Sequence, residues 1–168
     1  MNELFNGEYI KRAAELYVGA TIEEPNAILI VNEALEKIGD FALNHVEHSV
    51  TAENSDWYDL PNDTTAILFV TDALGILYNQ WSSRGTKICF EEAGAYKVHI
   101  RKMVDRINSL EEEIKIHPLF HQPIIAYVRG FLKLMDEDTS TDGKEQIQLF
   151  ENGVALAYQM LSNIRKRL

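Results

Sequence analysis

Apolar positions near the start of the chain recur every three or four residues, which is the spacing of one face of an α-helix. A short helix is predicted over about 8–18. A second helix is predicted from Glu23-Glu24-Pro25, because proline suits the first helical turn and acids there meet the positive end of the helix dipole. The apolar stripe of this second helix consists of Ile28, Val31, Leu35, Ile38 and Ala42. We therefore predict that it continues to about Val46.

In the middle of the chain the apolar period changes to two, which is typical of β-strands. A polar linker at 52–56 precedes Leu60-Pro61, and β-branched or apolar residues then occupy 64–70 on both faces. Three further strands are predicted at 76–81, 86–91 and 96–101, with breaks at Gly75, at 82–85 and at Ala93-Gly94. Four short strands in succession indicate an antiparallel sheet or a small sandwich.

The helical period returns after the acidic run 111–113. Pro118 and Pro123 both suit the start of a helix, and its broad apolar stripe consists of Ile124, Tyr127, Val128, Phe131, Leu132 and Met135. An acidic loop at 136–143 leads to a last helix, whose stripe consists of Ile147, Phe150, Val154, Ala157, Leu161 and Ile164. This last helix is predicted to end on Arg165-Lys166-Arg167, where cations meet the negative end of the helix dipole.

The order of elements predicts an α+β protein of one domain over 1–168. Helices from both chain ends, at 1–56 and 105–168, are expected to pack into one bundle, because each has an apolar stripe that needs a partner. The small antiparallel β-sheet or sandwich at 57–104 is then an inserted lobe that projects from the bundle. The residues predicted to lie at the junction of lobe and bundle are Trp57, Tyr58, Leu60 and Pro61.

The net charge and the composition limit the classes of function that are expected for this chain. A formal charge of −10 argues against binding that depends on Lys and Arg facing phosphates. An acidic protein can nevertheless surround DNA without binding it, since negatively charged side chains around a channel repel the phosphates and let the DNA move through. The single cysteine fits a reducing cytosol, the first residues lack the order of a signal peptide, and no apolar run approaches the ~20 residues of a membrane span. We expect a soluble protein made in the cytoplasm.

Two pairs of histidines are candidates for metal ligands. His45 and His48 are three residues apart, and His117 and His121 are four apart, so either pair offers two nitrogens to a metal. No third ligand has motif spacing, however, and Pro118 distorts the second pair. Solvated helix ends are the favoured interpretation, and His99 is likewise expected to be a solvated residue of a polar strand face.

The other candidate chemistry is equally sparse. Cys89 lacks a neighbouring base and an electropositive setting, so a packing role is favoured over a nucleophile. The run 111–113 is expected to be solvated rather than bound to a cation, and the glycines form no phosphate-binding loop. We therefore predict no catalytic residue, no cofactor, no metal and no enzymatic activity.

Several motifs along the chain nevertheless have a recognisable order. "NEALEKIG" in a helix is followed by "WYDLPND" before a strand, a hairpin, "KICFEEAGAYKVHI", "HPLFHQPIIAYVRGFL" and a last helix. This order resembles the head-to-tail adaptor proteins of tailed bacteriophages, also called connector or neck proteins, over about 28–161. The matching positions are Leu60-Pro61, Ile88-Cys89-Phe90, Gly94-Ala95-Tyr96-Lys97-Val98 and His117-Pro118 through Tyr127. The chain departs from the family pattern where 102–105 continues the last strand without a proline.

The resemblance implies a structural virion protein at the phage neck, made in the host cytoplasm. Such subunits form a homo-oligomeric ring, typically of twelve copies, that binds the portal protein on one side and a tail or head-closure (nozzle) protein on the other. Genomic DNA passes through the ring during ejection without specific binding. The candidate portal-binding residues are Arg165, Lys166, Arg167 and Leu168, whose deletion is expected to spare folding and weaken docking. The same cations are also typical of a helix C-terminus that binds no partner.

A second interpretation is a non-catalytic cytosolic binding or regulatory module that uses the β lobe as a ligand platform. The oligomeric state separates the two, because only a ring-former should assemble into a large symmetric particle, alone or on the portal. An enzyme on a helical frame is the least supported of the three classes.

Overall fold

The computed structural model describes residues 4–165, and of Arg165 only the backbone. The helices of this range are α1 (Gly7–Val18), α2 (Glu24–Ile38), α3 (His121–Asp136) and α4 (Thr141–Arg165), with 3-10 turns at Gly39–Ala42 and Pro118–Phe120. The strands are β1 (His45–Ala52), β2 (Trp57–Asp59), β3 (Thr64–Asp72), β4 (Trp81–Arg84), β5 (Lys87–Phe90) and β6 (Gly94–Lys102). The predicted α+β class is confirmed. In this described range, no helix has the length and apolar character of a membrane span.

The chain divides into two compact units. The helical unit comprises the described residues up to Ala42 and from Val104 onward, and the β unit comprises Leu43–Met103. All four helices contribute to one hydrophobic core of the helical unit, through buried residues such as Ile10, Ile30, Ile124 and Phe150. The starts of α2 and α3 agree with the sequence predictions, including the proline in the first turn of α2.

The segment between the β unit and α3 is held on α2 by one asparagine. The Asn32 amide donates to the Ile107 carbonyl at 2.8 Å, and its carbonyl oxygen accepts from the Ile107 N–H at 2.9 Å. Ile107 itself is buried. Because buried backbone groups must be paired, this two-sided contact substitutes for the secondary structure that the segment lacks.

The β unit consists of two three-stranded antiparallel sheets. The first has the strand order β1-β6-β3 and the second the order β2-β5-β4. Both contribute to one core, which contains Val70 and Val98 from the first sheet and Ile88 and Phe90 from the second. The Phe90 ring stacks on Tyr96, with centroids 4.2 Å apart and an interplanar angle of 2°. Burial raises the pKa of Tyr96 to about 12, because a phenolate is disfavoured in this core.

The predicted extension of the second helix to Val46 is wrong. The helix ends at Ile38, where Gly39 adopts φ 48° and ψ −127°, and Leu43 is also in the left-handed region at φ 49°. The following residues form β1, in which Val50 and Ala52 are buried on one face. The three-four stripe includes Ala42 because the 3-10 turn after α2 still buries that residue in the helical core. Gly39 is the sequence signal that marks the end of the α-helix.

The predicted strand at 76–81 is also wrong. Residues 76–80 connect the two sheets outside the named strands, and β4 begins only at Trp81. The polar stretch interpreted as a turn at 82–85 is therefore mostly strand, and the β4–β5 turn is confined to Gly85 and Thr86. Apolar character at 76–81 indicated a strand, whereas the structure leaves Ile76 and Leu77 exposed.

Replacing Gly130 with alanine is expected to lower the free energy of unfolding of the helical unit by about 1–2 kcal/mol. An added Cβ would lie 2.8 Å from the Gly143 carbonyl oxygen, so α3 and α4 would have to separate there. Far-UV circular dichroism during urea unfolding measures the change. The exposed α4 substitution Asn152→Ala is the control, because a favourable helix propensity without a clash should not destabilise. An unchanged or more stable Gly130→Ala protein would contradict the expectation.

Candidate interaction surfaces

His117 and His121 each make a contact within the helical unit. The His117 side chain caps the 3-10 turn by accepting from the Leu119 N–H at 3.3 Å. His121 starts α3, and its ring stacks on Phe5 with centroids 3.6 Å apart and an interplanar angle of 7°. Each imidazole is thus used to begin or pack a helical element.

Stability of the helical unit is expected to fall between about pH 7 and pH 5 through His121. Burial lowers the pKa of His121 below its ordinary value, with a smaller contribution from the nearby His117, while a hydrogen bond with Ile116 opposes the shift. The unfolded chain then binds more protons near pH 6.5, so stability is fully present above that pH and is lost as the pH falls toward the lowered pKa.

Urea unfolding across this pH range, followed by circular dichroism, measures the effect against the variant His121→Phe. The variant should lose part of the pH dependence while keeping a ring against Phe5. The control variant His48→Gln, in the β unit, should keep the full pH dependence of stability. Identical pH slopes for His121→Phe and the unchanged chain would refute the assignment.

The first histidine pair lies on a strand instead of a helix end. His45 in β1 faces His99 in β6 across the sheet, with Nε2 and Nδ1 3.1 Å apart. The Phe69 ring of β3 stacks on His99 at a centroid distance of 4.1 Å. On the same face, Lys97 contacts Glu47 at 2.8 Å and lowers the pKa of that carboxyl. Sequence reasoning missed this exposed cluster because the predicted helix included the start of β1 and no strand was predicted before residue 64.

The remaining candidates for chemistry have local partners. The half-buried Cys89 thiol lies 3.4 Å from the Ser55 carbonyl, to which it donates. Glu112 accepts from the Asn108 N–H at 3.2 Å in the loop before α3. Within residues 4–165, the structure has no group of three or more His, Cys, Asp or Glu side chains placed to hold a metal ion.

The residues predicted at the junction of lobe and bundle belong to the β unit. Trp57 and Tyr58 pair in β2 with Cys89 and Ile88 of β5. Leu60 is buried and donates its N–H to the Thr86 carbonyl at 2.8 Å. The Pro61 carbonyl accepts from the Thr64 N–H at 3.0 Å and so forms the turn into β3. A junction role for these four residues stays a prediction.

The candidate portal-binding residues fall at the limit of the described chain. Arg165 is the last residue of α4, and only its backbone is described. Lys166, Arg167 and Leu168 lie outside the described residues.

One surface that sequence reasoning missed is the loop after β3, at 73–77, which we call the apolar loop. The Asp72 carboxylate accepts from the Leu74 and Ile76 N–H groups, both at 2.9 Å, and Gly75 at φ 80° completes the turn. Leu74, Ile76 and Leu77 are nevertheless 83%, 60% and 58% exposed. A backbone held by Asp72 therefore presents three aliphatic side chains to solvent.

A pocket of about 530 Å³ lies beside the β4–β5 turn of the same unit, and we call it the Trp57 pocket. Trp57 supplies an indole that is 46% exposed. The other lining residues are Arg84, Gly85, Thr86 and Lys87. Its size is within the range of pockets that bind small molecules or the side chains of a partner.

The helical unit also has an unpaired apolar face. Leu149, Leu156, Met160 and Ile164 follow one side of α4 at spacings of seven and four residues, and each is about half exposed. We call this set the α4 stripe. It is distinct from the core stripe that contains Phe150, Val154 and Ala157.

A scan of the sequence against protein-family models finds no match, and a search of the curated proteins finds none either.

Proposed function

We propose that this chain is a head-to-tail adaptor of a tailed bacteriophage, a non-catalytic structural protein that forms a ring between the portal vertex and the tail. The observation that carries the proposal is the exposure of large apolar side chains in both units, in the apolar loop and in the α4 stripe. Large exposed apolar patches mark sites that contact another protein, a membrane or a ligand, and we assign these two to contacts between proteins. An assembly subunit needs at least two of them.

The motifs that resemble the adaptor family lie at the starts of strands and helices or within a strand, as the resemblance implies. Leu60-Pro61 leads into β3, Ile88-Cys89-Phe90 lies within β5, and Gly94 begins β6. His117-Pro118 precedes α3 directly. In this proposal the helices from both chain ends form the adaptor bundle, and the β unit is the insertion between them.

The acidic charge supports a role around DNA that does not grip it. The 26 Asp and Glu residues outnumber the 16 Lys and Arg residues, so the net field repels phosphates and genomic DNA would pass without being retained. The proposed partners are the portal protein, a tail or head-closure protein and further copies of this chain.

Native mass spectrometry and negative-stain electron microscopy test the proposal. The purified chain is measured alone and after mixing with portal rings encoded by the same genome. We expect a ring of about twelve copies, either free or seated on the portal. A variant lacking 165–168 should fold and bind the portal more weakly. A chain that stays monomeric and unbound with portal present would contradict the proposal.

A second candidate, a non-catalytic binding module, is favoured by the exposed cluster of Phe69, His99 and His45 on the first sheet. Stacked aromatic and imidazole rings on an open sheet face suit a ligand platform. The portal experiment also separates the candidates, because a binding module should remain monomeric. In a ring-former that does not use this face, Phe69→Ala should leave assembly unchanged.

A further inference from the structure

The apolar loop folds back on the end of β3, where Leu77 pairs with Thr71, and it leads on to the start of β4, whereas the Trp57 pocket lies at the β4–β5 turn. The apolar loop leads through 78–80 into the first residue of β4, Trp81, which pairs with the last residue of β5, Phe90. The Trp57 pocket adjoins the other end of the same hairpin, where Arg84 pairs with Lys87. Three residue steps of β4 place these two ends about 10 Å apart along the strand.

The charges at the two ends are complementary. The end with the apolar loop has three carboxylates, Asp72, Glu91 and Glu92, and the segments 72–81 and 90–95 contain no lysine or arginine. Glu91 belongs to this end because its N–H donates to the Gln80 carbonyl at 3.1 Å. At the pocket end, Arg84 and Lys87 are both exposed.

One carboxylate reduces the positive charge of the pocket without cancelling it. Asp59 contacts Lys87 at 3.1 Å, and both side chains are more than half exposed. With Arg84 added, the pocket end still has two cations and one anion. The β unit therefore contains both an exposed apolar loop with carboxylates beside it and an open pocket with a net positive charge.

We infer that the β unit joins two copies of this chain head to tail, with the apolar loop of one copy seated in the Trp57 pocket of the next. A contact between different surfaces leaves each copy with one free loop and one free pocket, so it propagates into a ring or a filament. The contact deepens the proposed function and rests on it, since it is assigned as the joint between neighbouring subunits of the adaptor ring.

The size of the contact predicts weak pairing. Stable pairwise interfaces bury roughly 1,200–2,000 Å² in total, and three aliphatic side chains in one pocket bury less. We therefore expect isolated pairs to form only at high concentration and closed rings to gain from making two contacts per copy.

Cross-linking tests the contact even where pairing is weak. In a Cys89→Ser background, a Leu74→Cys chain is mixed with a Thr86→Cys chain and a short bifunctional maleimide. The mixed dimer should form at least tenfold faster than with a Leu16→Cys chain, whose leucine is equally exposed but lies on α1. Equal rates would overturn the inference, as would preferential cross-linking of Leu74→Cys to itself.

Complementation of two defective chains tests the direction of the contact. Leu74→Asp with Leu77→Asp replaces two leucines of the apolar loop with charges, and Arg84→Glu with Lys87→Glu reverses the pocket charge, all at exposed sites. At a protein concentration high enough for the unchanged chain to associate, sedimentation velocity should show no self-association of either variant, while their mixture should form a dimer and no larger species. The charge control Lys115→Glu with Lys144→Glu should assemble as the unchanged chain does. A mixture that forms no dimer would overturn the inference.

The two proposals fail in different ways. If the chain assembles on portal rings while cross-linking stays at the control rate, the adaptor function stands and the loop-to-pocket contact is wrong. If cross-linking is specific but no portal complex forms, the contact stands and the adaptor function is wrong.

Discussion

Replacing Phe90 with alanine is expected to lower the free energy of unfolding of the β unit by about 3–5 kcal/mol. Phe90 is fully buried, and its ring stacks on Tyr96 in the core that the two sheets share. The substitution removes both the buried apolar area and the partner of the Tyr96 ring. Because the core of the β unit is small, its other side chains have little freedom to fill the cavity.

Tryptophan fluorescence isolates this effect from the helical unit. Both tryptophans, Trp57 and Trp81, lie in the β unit, so the fluorescence transition in urea reports on that unit. Leu74→Ala is the matched control, because its side chain is exposed and truncation should change stability by no more than about 0.5 kcal/mol. If Phe90→Ala unfolded at the same urea concentration as the control, the position of Phe90 in the core would be wrong.

Asn32→Ala is expected to destabilise the helical unit by about 2–4 kcal/mol. The substitution removes two hydrogen bonds and leaves the N–H and carbonyl of the buried Ile107 without their partner, and each unsatisfied buried group costs about 1–3 kcal/mol. The segment that follows the β unit would then keep only its other contacts with α2, such as the exposed ion pair between Arg106 and Glu36.

Circular dichroism at helical wavelengths during urea unfolding measures the Asn32 effect. Asn32→Asp separates the two hydrogen bonds, since aspartate still accepts from the Ile107 N–H but cannot donate to its carbonyl. We expect a loss at least as large as that of Asn32→Ala, because a carboxylate oxygen would then face the Ile107 carbonyl oxygen. A change below about 0.5 kcal/mol for Asn32→Ala would show that the segment does not depend on this contact.

The helices were predictable because their signals are local. The signals are the proline in the first turn of α2, Pro118 before α3, Pro123 in its first turn, and the three-four stripes of α3 and α4. They depend only on neighbouring residues and on which face meets water. The alternation around Tyr96, Val98 and Ile100 likewise identified β6, which is the central strand of the first sheet.

The wrong predictions fall where one local sequence pattern is compatible with two different secondary structures. Residues 39–46 continue an apolar stripe, yet Gly39 ends the helix, and the alternation of β1 is stabilised by its antiparallel pairing with β6, some fifty residues away. Residues 76–81 are apolar enough for a strand, but Asp72 holds the preceding loop in a turn. Gly39 marks the end of the helix in the sequence, but the start of β1 depends on its partner strand, and the turn before 76–81 depends on the Asp72 hydrogen bonds.

The candidate surfaces divide in the same way. The sequence by itself determined the mixed helix and strand content, the starts of α2 and α3 and the acidic charge, because these follow from composition and from contacts within a few residues. Only the tertiary structure decided that His45 meets His99, that Leu74, Ile76 and Leu77 are exposed, and that Trp57 lies beside Arg84 and Lys87 in a pocket. Exposure and proximity depend on which distant strands pair, and periodicity along one segment contains no information about its partner.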